Sequence, residues 1–143
     1  MSGEPIRLRA ATRADLPRIH LIRHGTAENR LADPSRVTDR EVAWYMVEAV
    51  FLVSETGGDV HGFVCANHLT GLVWALFVEE AVRGRGHGTA LLDAALDRLR
   101  TLGHRQAHLT TGTGTRAAAF YRARGWRPMG TDVDGDTAFT RAL

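Results

Sequence analysis

The sequence predicts one mixed α/β domain in which a mostly antiparallel central sheet of about six to seven strands is flanked by four helices. Three observations support this fold class. The chain has 143 residues, 44% of them hydrophobic, which is enough for a single core. Strand-like and helix-like stretches alternate along its whole length. No repeat, linker or low-complexity segment divides it, so residues 1–143 are expected to form one domain.

The first third of the chain is predicted to form a strand, a helix, a loop and a second helix. Residues 6–11 alternate between apolar and basic side chains, as a half-buried strand does. Thr12 is then expected to begin a helix with Asp15 in its first turn. A polar stretch follows, and the second helix is predicted to start at Ser35 or Thr38 and to end near Glu48.

Three strands are predicted next. Residues 50–54 and 60–66 form a hairpin, because the Gly57-Gly58-Asp59 group between them is typical of a tight turn. Residues 72–78 are apolar at every position, which favours a strand covered on both faces and therefore central in the sheet.

The remaining elements alternate helix and strand. Leucines and alanines recur at helical spacing from Leu91 to Leu102, and Gly103 stands where a helix C-terminus is expected. A strand over 106–111 and a helix from Thr113 or Thr115 to Arg124 follow. Two short strands, near Met129 and over 138–141, end the chain.

Composition excludes several classes of function. The formal charge is only +2, and the chain contains no lysine, which excludes a Walker A phosphate loop and any enzyme that forms a Schiff base through its own lysine. The arginines are spread out rather than run together with aromatic residues, so no nucleic-acid partner is expected. The longest apolar run is too short to span a bilayer, and the single cysteine, Cys65, suits a reducing compartment as a core residue. A cytoplasmic protein without a membrane partner is therefore expected.

The chemically informative segment joins the apolar strand to the strongest helix. It reads Val78-Glu79-Glu80-Ala81-Val82-Arg83-Gly84-Arg85-Gly86-His87-Gly88-Thr89. Glycines let a ligand approach the backbone and permit positive φ, while the helix that follows presents unpaired N–H groups and a positive dipole end. The segment therefore predicts a phosphate or pyrophosphate site, although a glycine-rich turn that merely joins strand to helix has the same pattern. A dinucleotide fingerprint is disfavoured, because Thr89 stands where its last glycine belongs.

Here the sequence resembles the GNAT superfamily of acetyl-CoA-dependent acyltransferases. The family motif Arg/Gln-x-x-Gly-x-Gly/Ala is matched by residues 83–88, and the element Ala-x-x-Phe-Tyr-x-x-x-Gly-Phe is matched by residues 117–126, with Trp126 as the final aromatic. The order of predicted elements also follows the GNAT plan. Two departures are Gly114, where family members often have an asparagine, and Glu80, where a proline is common.

The resemblance implies that acetyl-CoA is the acyl donor and that no metal is needed. It further implies that the strand ending at Val78 and the strand near Leu109 splay apart, that pantetheine lies between them on the backbone of Leu76 and Val78, and that the pyrophosphate sits on residues 83 to 89. The expected cofactor-binding residues are Leu76, Phe77, Val78, Arg83, Gly84, Arg85, Gly86, His87, Gly88, Thr89, Phe120 and Arg124.

The resemblance also matches Tyr121 to the family's general-acid position. A tyrosine with a pKa near ~10 is a weaker acid than a thiol at about 8.5, so Tyr121 would hydrogen-bond the leaving sulfur and donate as charge develops. A packing role on an amphipathic helix is the alternative. An amine acceptor with a pKa near ~10.4 must lose a proton, but Thr70 stands where some members carry a catalytic glutamate. The candidate bases are His68 and Glu28, and a water chain or a neutral acceptor would need neither.

The polar stretch from His24 to Thr38 falls where GNAT enzymes build the acceptor site, and it resembles a segment of some bacterial members. Its polar side chains suit a cationic or polar acceptor, and Trp74 could wall that pocket or fill the core. The expected acceptor-binding residues are Glu28, Asn29, Asp33 and Trp74.

The predicted function is transfer of an acetyl group to a primary amine of a small-molecule acceptor, and a homodimer is considered. Two alternatives stay open: a protein N-terminal or lysine acetyltransferase, and a non-catalytic acyl-CoA-binding or sensing module. The histidine spacings do not predict a metal site, since no H-E-x-x-H pattern or third ligand accompanies His20 and His24.

Overall fold

The structure is a computed structural model that describes residues 5–25 and 50–143. Within these ranges the α-helices and strands follow the predicted order, and the predicted second helix (35–48) lies outside the described residues. Their bounds are β1 (Arg7–Ala10), α1 (Leu16–Gly25), β2 (Val50–Thr56), β3 (Asp59–Ala66), β4 (Val73–Val78), α2 (His87–Thr101), β5 (Gln106–Gly112), α3 (Arg116–Ala123), β6 (Arg127–Thr131) and β7 (Asp136–Ala142). Short 3-10 turns span Arg13–Asp15 and Glu80–Val82.

The strands form two antiparallel sheets. Their orders are β1-β2-β3-β4 and β5-β7-β6. The two sheets meet at a parallel bridge between Leu72 and His108, where the His108 N–H donates to the Gly71 carbonyl at 3.1 Å. The prediction that the apolar strand is central in the sheet is therefore wrong. Among the described strands, β4 is the edge strand of the four-stranded sheet, pairs regularly with β3 alone and lies beside the second sheet.

Helices cover both faces of the four-stranded sheet, which explains why β4 is apolar throughout. Leu76 and Val78 pack against the cluster of buried residues under α2 and α3. Ala75 and Phe77 belong to the cluster under α1, with Ile19 and Ile22. The stripe predicted on α2 is buried at Leu91, Leu92, Ala95, Leu96 and Leu99. No helix in the described ranges is long and apolar enough to cross a bilayer.

The backbone adopts the predicted conformation at both glycine-containing turns. Gly103 ends α2 with a φ of 98°, and the His104 N–H donates back to the Leu99 carbonyl at 3.1 Å. Gly57 and Gly58 both have positive φ in the β2–β3 turn. The predicted hairpin and helix end are confirmed.

A buried carboxylate fixes the entry to α1. Asp15 lies in a 3-10 turn rather than in α1 itself, and its carboxylate accepts from the Thr12 N–H at 2.7 Å and from both terminal nitrogens of Arg9 at 2.8 and 2.9 Å. Arg9 also donates to Glu55 on β2 at 3.1 Å. The hydrogen bonds from Arg9 are the main reason why the pKa of Asp15 lies below its ordinary value of 3.8.

We expect Asp15→Asn to lower the free energy of unfolding by about 1.5–3 kcal/mol near pH 7, because it breaks charge-assisted hydrogen bonds at a buried site. Since folding lowers the pKa of Asp15, this contribution is complete well above pH 3.8 and is lost as the pH falls through the lowered pKa. Urea unfolding at several pH values measures both effects.

Asp97→Asn is the matched control, because Asp97 pairs with Arg100 on the exposed face of α2. We expect it to change the free energy of unfolding by less than about 0.5 kcal/mol. Equal effects of the two substitutions would contradict the role assigned to Asp15.

Candidate functional site

One backbone edge of β4 has no strand partner beyond the bridge at Leu72 in the described part of the chain. The Glu79 N–H donates to the His61 carbonyl of β3 at 2.9 Å. Hydrogen bonding alternates along an antiparallel strand, so Phe77 also faces β3, and its carbonyl lies 2.9 Å from where a Cβ on Gly62 would stand. Leu76 and Val78 therefore direct their N–H and C=O groups to the open edge, as the sequence comparison with the GNAT plan implied.

This open edge leads directly into the glycine loop. A 3-10 turn over Glu80–Val82 follows β4, and the N–H groups of Arg83 and Arg85 are used within the turn, at 3.1 and 3.2 Å. Gly84 and Gly86 then adopt φ of 82° and 96°, a conformation that side chains other than glycine rarely adopt. The loop reverses the chain and starts α2 beside the end of β4.

The first turn of α2 offers unpaired N–H groups to an anion. The first helical bond runs from the Ala90 N–H to the Gly86 carbonyl at 3.0 Å. The N–H groups of His87, Gly88 and Thr89 precede it, so no helical carbonyl accepts from them. Together with the positive end of the helix dipole, this arrangement suits a phosphate or pyrophosphate group.

Space around the loop is open enough for a ligand to reach the backbone. A Cβ on Gly84 would meet nothing within 4 Å, and one on Gly86 would meet only Ile6 Cδ1, at 3.8 Å. A Cβ on Gly88 would make ordinary contacts with Phe120 at 3.6 Å and Val78 at 3.9 Å. The described residues thus fit a bulky phosphorylated group at this loop.

Residues of α3 reach the same turn. Arg124 donates to the Thr89 hydroxyl at 2.6 Å, and its guanidinium lies 5.0 Å from the centre of the Phe120 ring. Arg83 is only loosely paired with Glu80, at 3.9 Å, and Arg85 is exposed. Several of the predicted cofactor-binding residues are thus brought together around the anion site, although they lie far apart in sequence.

Tyr121 lies in the core between α3 and β7. Its ring contacts Trp126 and Phe139 at centroid distances of 5.6 and 6.2 Å, and the residue is buried. Burial raises the pKa of its phenol above the ordinary value of 10. The phenol therefore stays protonated at neutral pH, and the ring also fills the core.

His68 and Trp74 lie at the bridged end of β4. His68 is half-buried in the β3–β4 turn, and its carbonyl accepts from His104 Nε2 at 2.6 Å. Trp74 is half-buried against the cluster under α1. An extended group lying on β4 with its phosphates at the glycine loop would point its other end towards these two residues. Glu28, Asn29 and Asp33 lie outside the described residues.

A cluster of charged side chains that sequence reasoning missed surrounds Glu79. Its carboxylate accepts from His61 Nδ1 and from Arg18 of α1. Burial would raise the pKa of Glu79, but these two partners outweigh burial and hold the pKa below 4.5. No local motif could reveal the cluster, because its members come from α1, β3 and the end of β4.

A half-open pocket of about 150 Å³ adjoins this cluster. It lies between α1 and the chain that follows β4, and is lined by Arg18, Leu21, Ile22, Gly25, Glu79 and Glu80. Within the described ranges, no group of three or more histidine, cysteine or acidic residues is arranged to hold a metal ion.

Solved structures with the same fold include two N-acetyltransferases and an N-acetylglutamate synthase. The PaiA N-acetyltransferase of Thermoplasma acidophilum, in complex with coenzyme A, aligns over 97% of this chain and 99% of its own, with 15% identity and a TM-score of 0.84. The ribosomal-protein-S18-alanine N-acetyltransferase of Escherichia coli aligns over 97% and 93%, with 19% identity and a TM-score of 0.75. The N-acetylglutamate synthase of Neisseria gonorrhoeae, complexed with coenzyme A and N-acetyl-glutamate, aligns over 97% of this chain and 35% of its own, with 18% identity and a TM-score of 0.79. At these identities the likeness concerns the fold.

Sequence comparison assigns the family. No curated protein has a significant sequence match to this chain. A family model, however, described as the acetyltransferase (GNAT) family, matches residues 16–126, which include the glycine loop and all of α3. The chain belongs to the GNAT acetyltransferase family.

Proposed function

We propose that this protein transfers the acetyl group of acetyl-CoA to a primary amine of a small-molecule acceptor. The observation that carries the proposal is the continuity between the open edge of β4 and the unpaired N–H groups of the α2 first turn. This arrangement suits a ligand with an extended arm of amides at one end and a pyrophosphate at the other. Coenzyme A has both.

The chain's own groups would hold such a donor in three ways. The backbone N–H and C=O groups of Leu76 and Val78 would pair with the amides of the pantetheine arm. The N–H groups at the start of α2, with Arg83 and Arg85, would bind the pyrophosphate. Arg124, already placed at Thr89, would add a positive charge beside the phosphates.

Bound acetyl-CoA supplies an activated thioester. In the transfer the C–N bond to the acceptor forms, the C–S bond breaks, the amine loses a proton and the sulfur takes one. Tyr121 would donate a hydrogen bond to the sulfur as negative charge develops there, because its raised pKa keeps the phenol protonated. His68 and Glu28 are the proposed acceptors of the amine proton, and the position of His68 at the bridged end of β4 supports its candidacy.

The polar stretch from His24 to Thr38 supports a small acceptor, because its charged and amide side chains suit a polar or cationic amine. Turnover with a panel of small amines, compared with peptides that carry free N-termini or lysines, tests this choice, and activity with peptides alone would overturn it.

Gly86→Glu is expected to weaken acetyl-CoA binding by about a hundredfold or more, because it places a carboxylate beside the pyrophosphate site. Isothermal calorimetry measures the affinity. The control is Gly103→Glu at the other end of α2, where φ is 98° compared with 96° at Gly86, so both variants carry the same backbone strain. The control should bind within about threefold of wild type. Equal losses, or no binding by wild type, would contradict the assignment of the donor site.

Tyr121→Phe is expected to lower kcat by about a hundredfold or more and to leave the KM for acetyl-CoA nearly unchanged, because only the hydrogen bond to the developing thiolate is lost. Steady-state kinetics with the best amine of the panel measure both constants. The thermal midpoint should stay close to that of wild type, since the ring still packs on Trp126 and Phe139. Full activity would restrict Tyr121 to packing.

Ultraviolet titration can follow the phenol directly. The chain has two tyrosines, Tyr45 and Tyr121, so Tyr45→Phe leaves a single signal. We expect the absorbance change at phenolate wavelengths to begin well above pH 10, because burial disfavours the charged form of Tyr121. A midpoint near 10 would mean that water reaches the hydroxyl freely.

A further inference from the structure

The side chain of His87 points into the protein, although its backbone belongs to the anion site. The residue is 2% exposed, and its Nδ1 lies 2.8 Å from the Ser54 hydroxyl of β2. This hydrogen bond joins the first residue of α2 to the four-stranded sheet. The three N–H groups at the helix start are therefore tied to the sheet through one imidazole.

Gly62 of β3 makes room for this contact. A Cβ on Gly62 would lie 3.1 Å from the Ser54 hydroxyl and 2.9 Å from the Phe77 carbonyl, closer than side chains tolerate. The imidazole also meets the His61 ring of β3 edge-on, at a centroid distance of 5.5 Å. His87 is thus enclosed by the sheet on one side and by its own helix on the other.

Charged groups from each neighbouring element surround the imidazole. His61 of β3 is bonded to Glu79, Glu79 is paired with Arg18 of α1, and Arg85 lies in the loop. Burial is the main cause that lowers the pKa of His87 below 6.5. His61 and Arg85 lower it further, and Glu79 partly opposes them. The neutral imidazole fits this enclosure, whereas a protonated one would add a buried positive charge near the Arg85 guanidinium.

We propose that His87 is a positioning residue for the anion site: its neutral imidazole, docked on Ser54, fixes the first turn of α2, and its protonation weakens binding of the pyrophosphate of an acyl-CoA. The inference rests on the proposed function, since it assumes that this turn binds coenzyme A. Protonation of His87 disturbs the contact between its imidazole and Ser54. The first turn of α2 then shifts, and the N–H groups of His87, Gly88 and Thr89 shift with it.

The direction of the pH dependence separates this role from two others. If protonated His87 acted only as one more positive charge near the anion, affinity would rise as the pH falls. If His87 served only to fill the core, affinity would not follow its titration. A positioning role predicts weaker binding at low pH, because the ligand then prefers the neutral form.

The experiment is calorimetric titration with dephospho-CoA from pH 7.5 to 5.0. This probe lacks the 3′-phosphate, which itself titrates near pH 6, and its pyrophosphate keeps its charge. The Kd of the wild type should rise as the pH falls below 6.5, with a slope of up to about tenfold per pH unit. His87→Asn keeps a polar atom near the position of Nδ1 but does not titrate. Its Kd should stay constant between pH 7.5 and 5.0, whatever its affinity at pH 7.5.

The same substitution at the exposed His108 is the matched control and should keep the wild-type profile. If His87→Asn does not fold, an NMR titration of the wild type still tests the proposal. Its His87 imidazole, followed by NMR, should show a lower pKa with dephospho-CoA bound than without. A Kd that is constant or falls at low pH, or a pKa that rises on binding, would overturn the role of His87 alone. No binding at pH 7.5 would overturn this proposal and the proposed function together.

Discussion

In the described part of the chain, the backbone of β4 is paired with β3 along one edge and is free along the other beyond Leu72, and the proposed donor site depends on this asymmetry. If β5 continued the ladder, the carbonyl and N–H groups of Leu76 and Val78 would be used up within the sheet. Instead, β5 pairs with β7 along its other edge and meets the chain before β4 only at the bridge between Leu72 and His108. The open edge is stable because buried clusters on both faces of the sheet hold β4 in place through its side chains.

A chain of polar contacts crosses this apolar layer. It leads from Ser54 through His87, His61 and Glu79 to Arg18, and so from β2 and the start of α2 to α1. Buried polar groups are costly without partners and confer rigidity when they have them. The glycines of the loop thus supply its unusual φ angles. The imidazole of His87 joins the start of α2 to β2 through Ser54.

The electrostatic character of the site follows from the absence of lysine. Arginine keeps its charge over the whole physiological range, so Arg83, Arg85 and Arg124 provide a positive field that does not change with pH. Histidine is the side chain that responds between pH 5 and 7. If the affinity for the proposed acetyl-CoA donor changes between pH 5 and 7, the groups expected to titrate are the histidines near the loop and the phosphates of the ligand.

The local features could be predicted from sequence because each depends on residues close together in the chain. The α2 stripe, its end at Gly103 and the Gly57-Gly58 turn all follow from side-chain spacing and backbone preference. The assignment of an anion site to the glycine loop depends on the same kind of local signal and stays a prediction. The apolar run before the loop indicated a strand covered on both faces. It did not reveal that, among the described strands, this one would have a regular partner along one edge only, since that depends on how the two sheets meet.

The sequence by itself thus predicted the family, the order of the described helices and strands and the glycine loop between β4 and α2. Tertiary structure alone decided the burial of Tyr121 against Phe139, the reach of Arg124 to Thr89, the cluster around Glu79 and the inward direction of His87. In each case the partners are separated by 18 or more residues along the chain. Local preferences act over a few residues, so contacts at these separations exist only once the sheets and helices have packed.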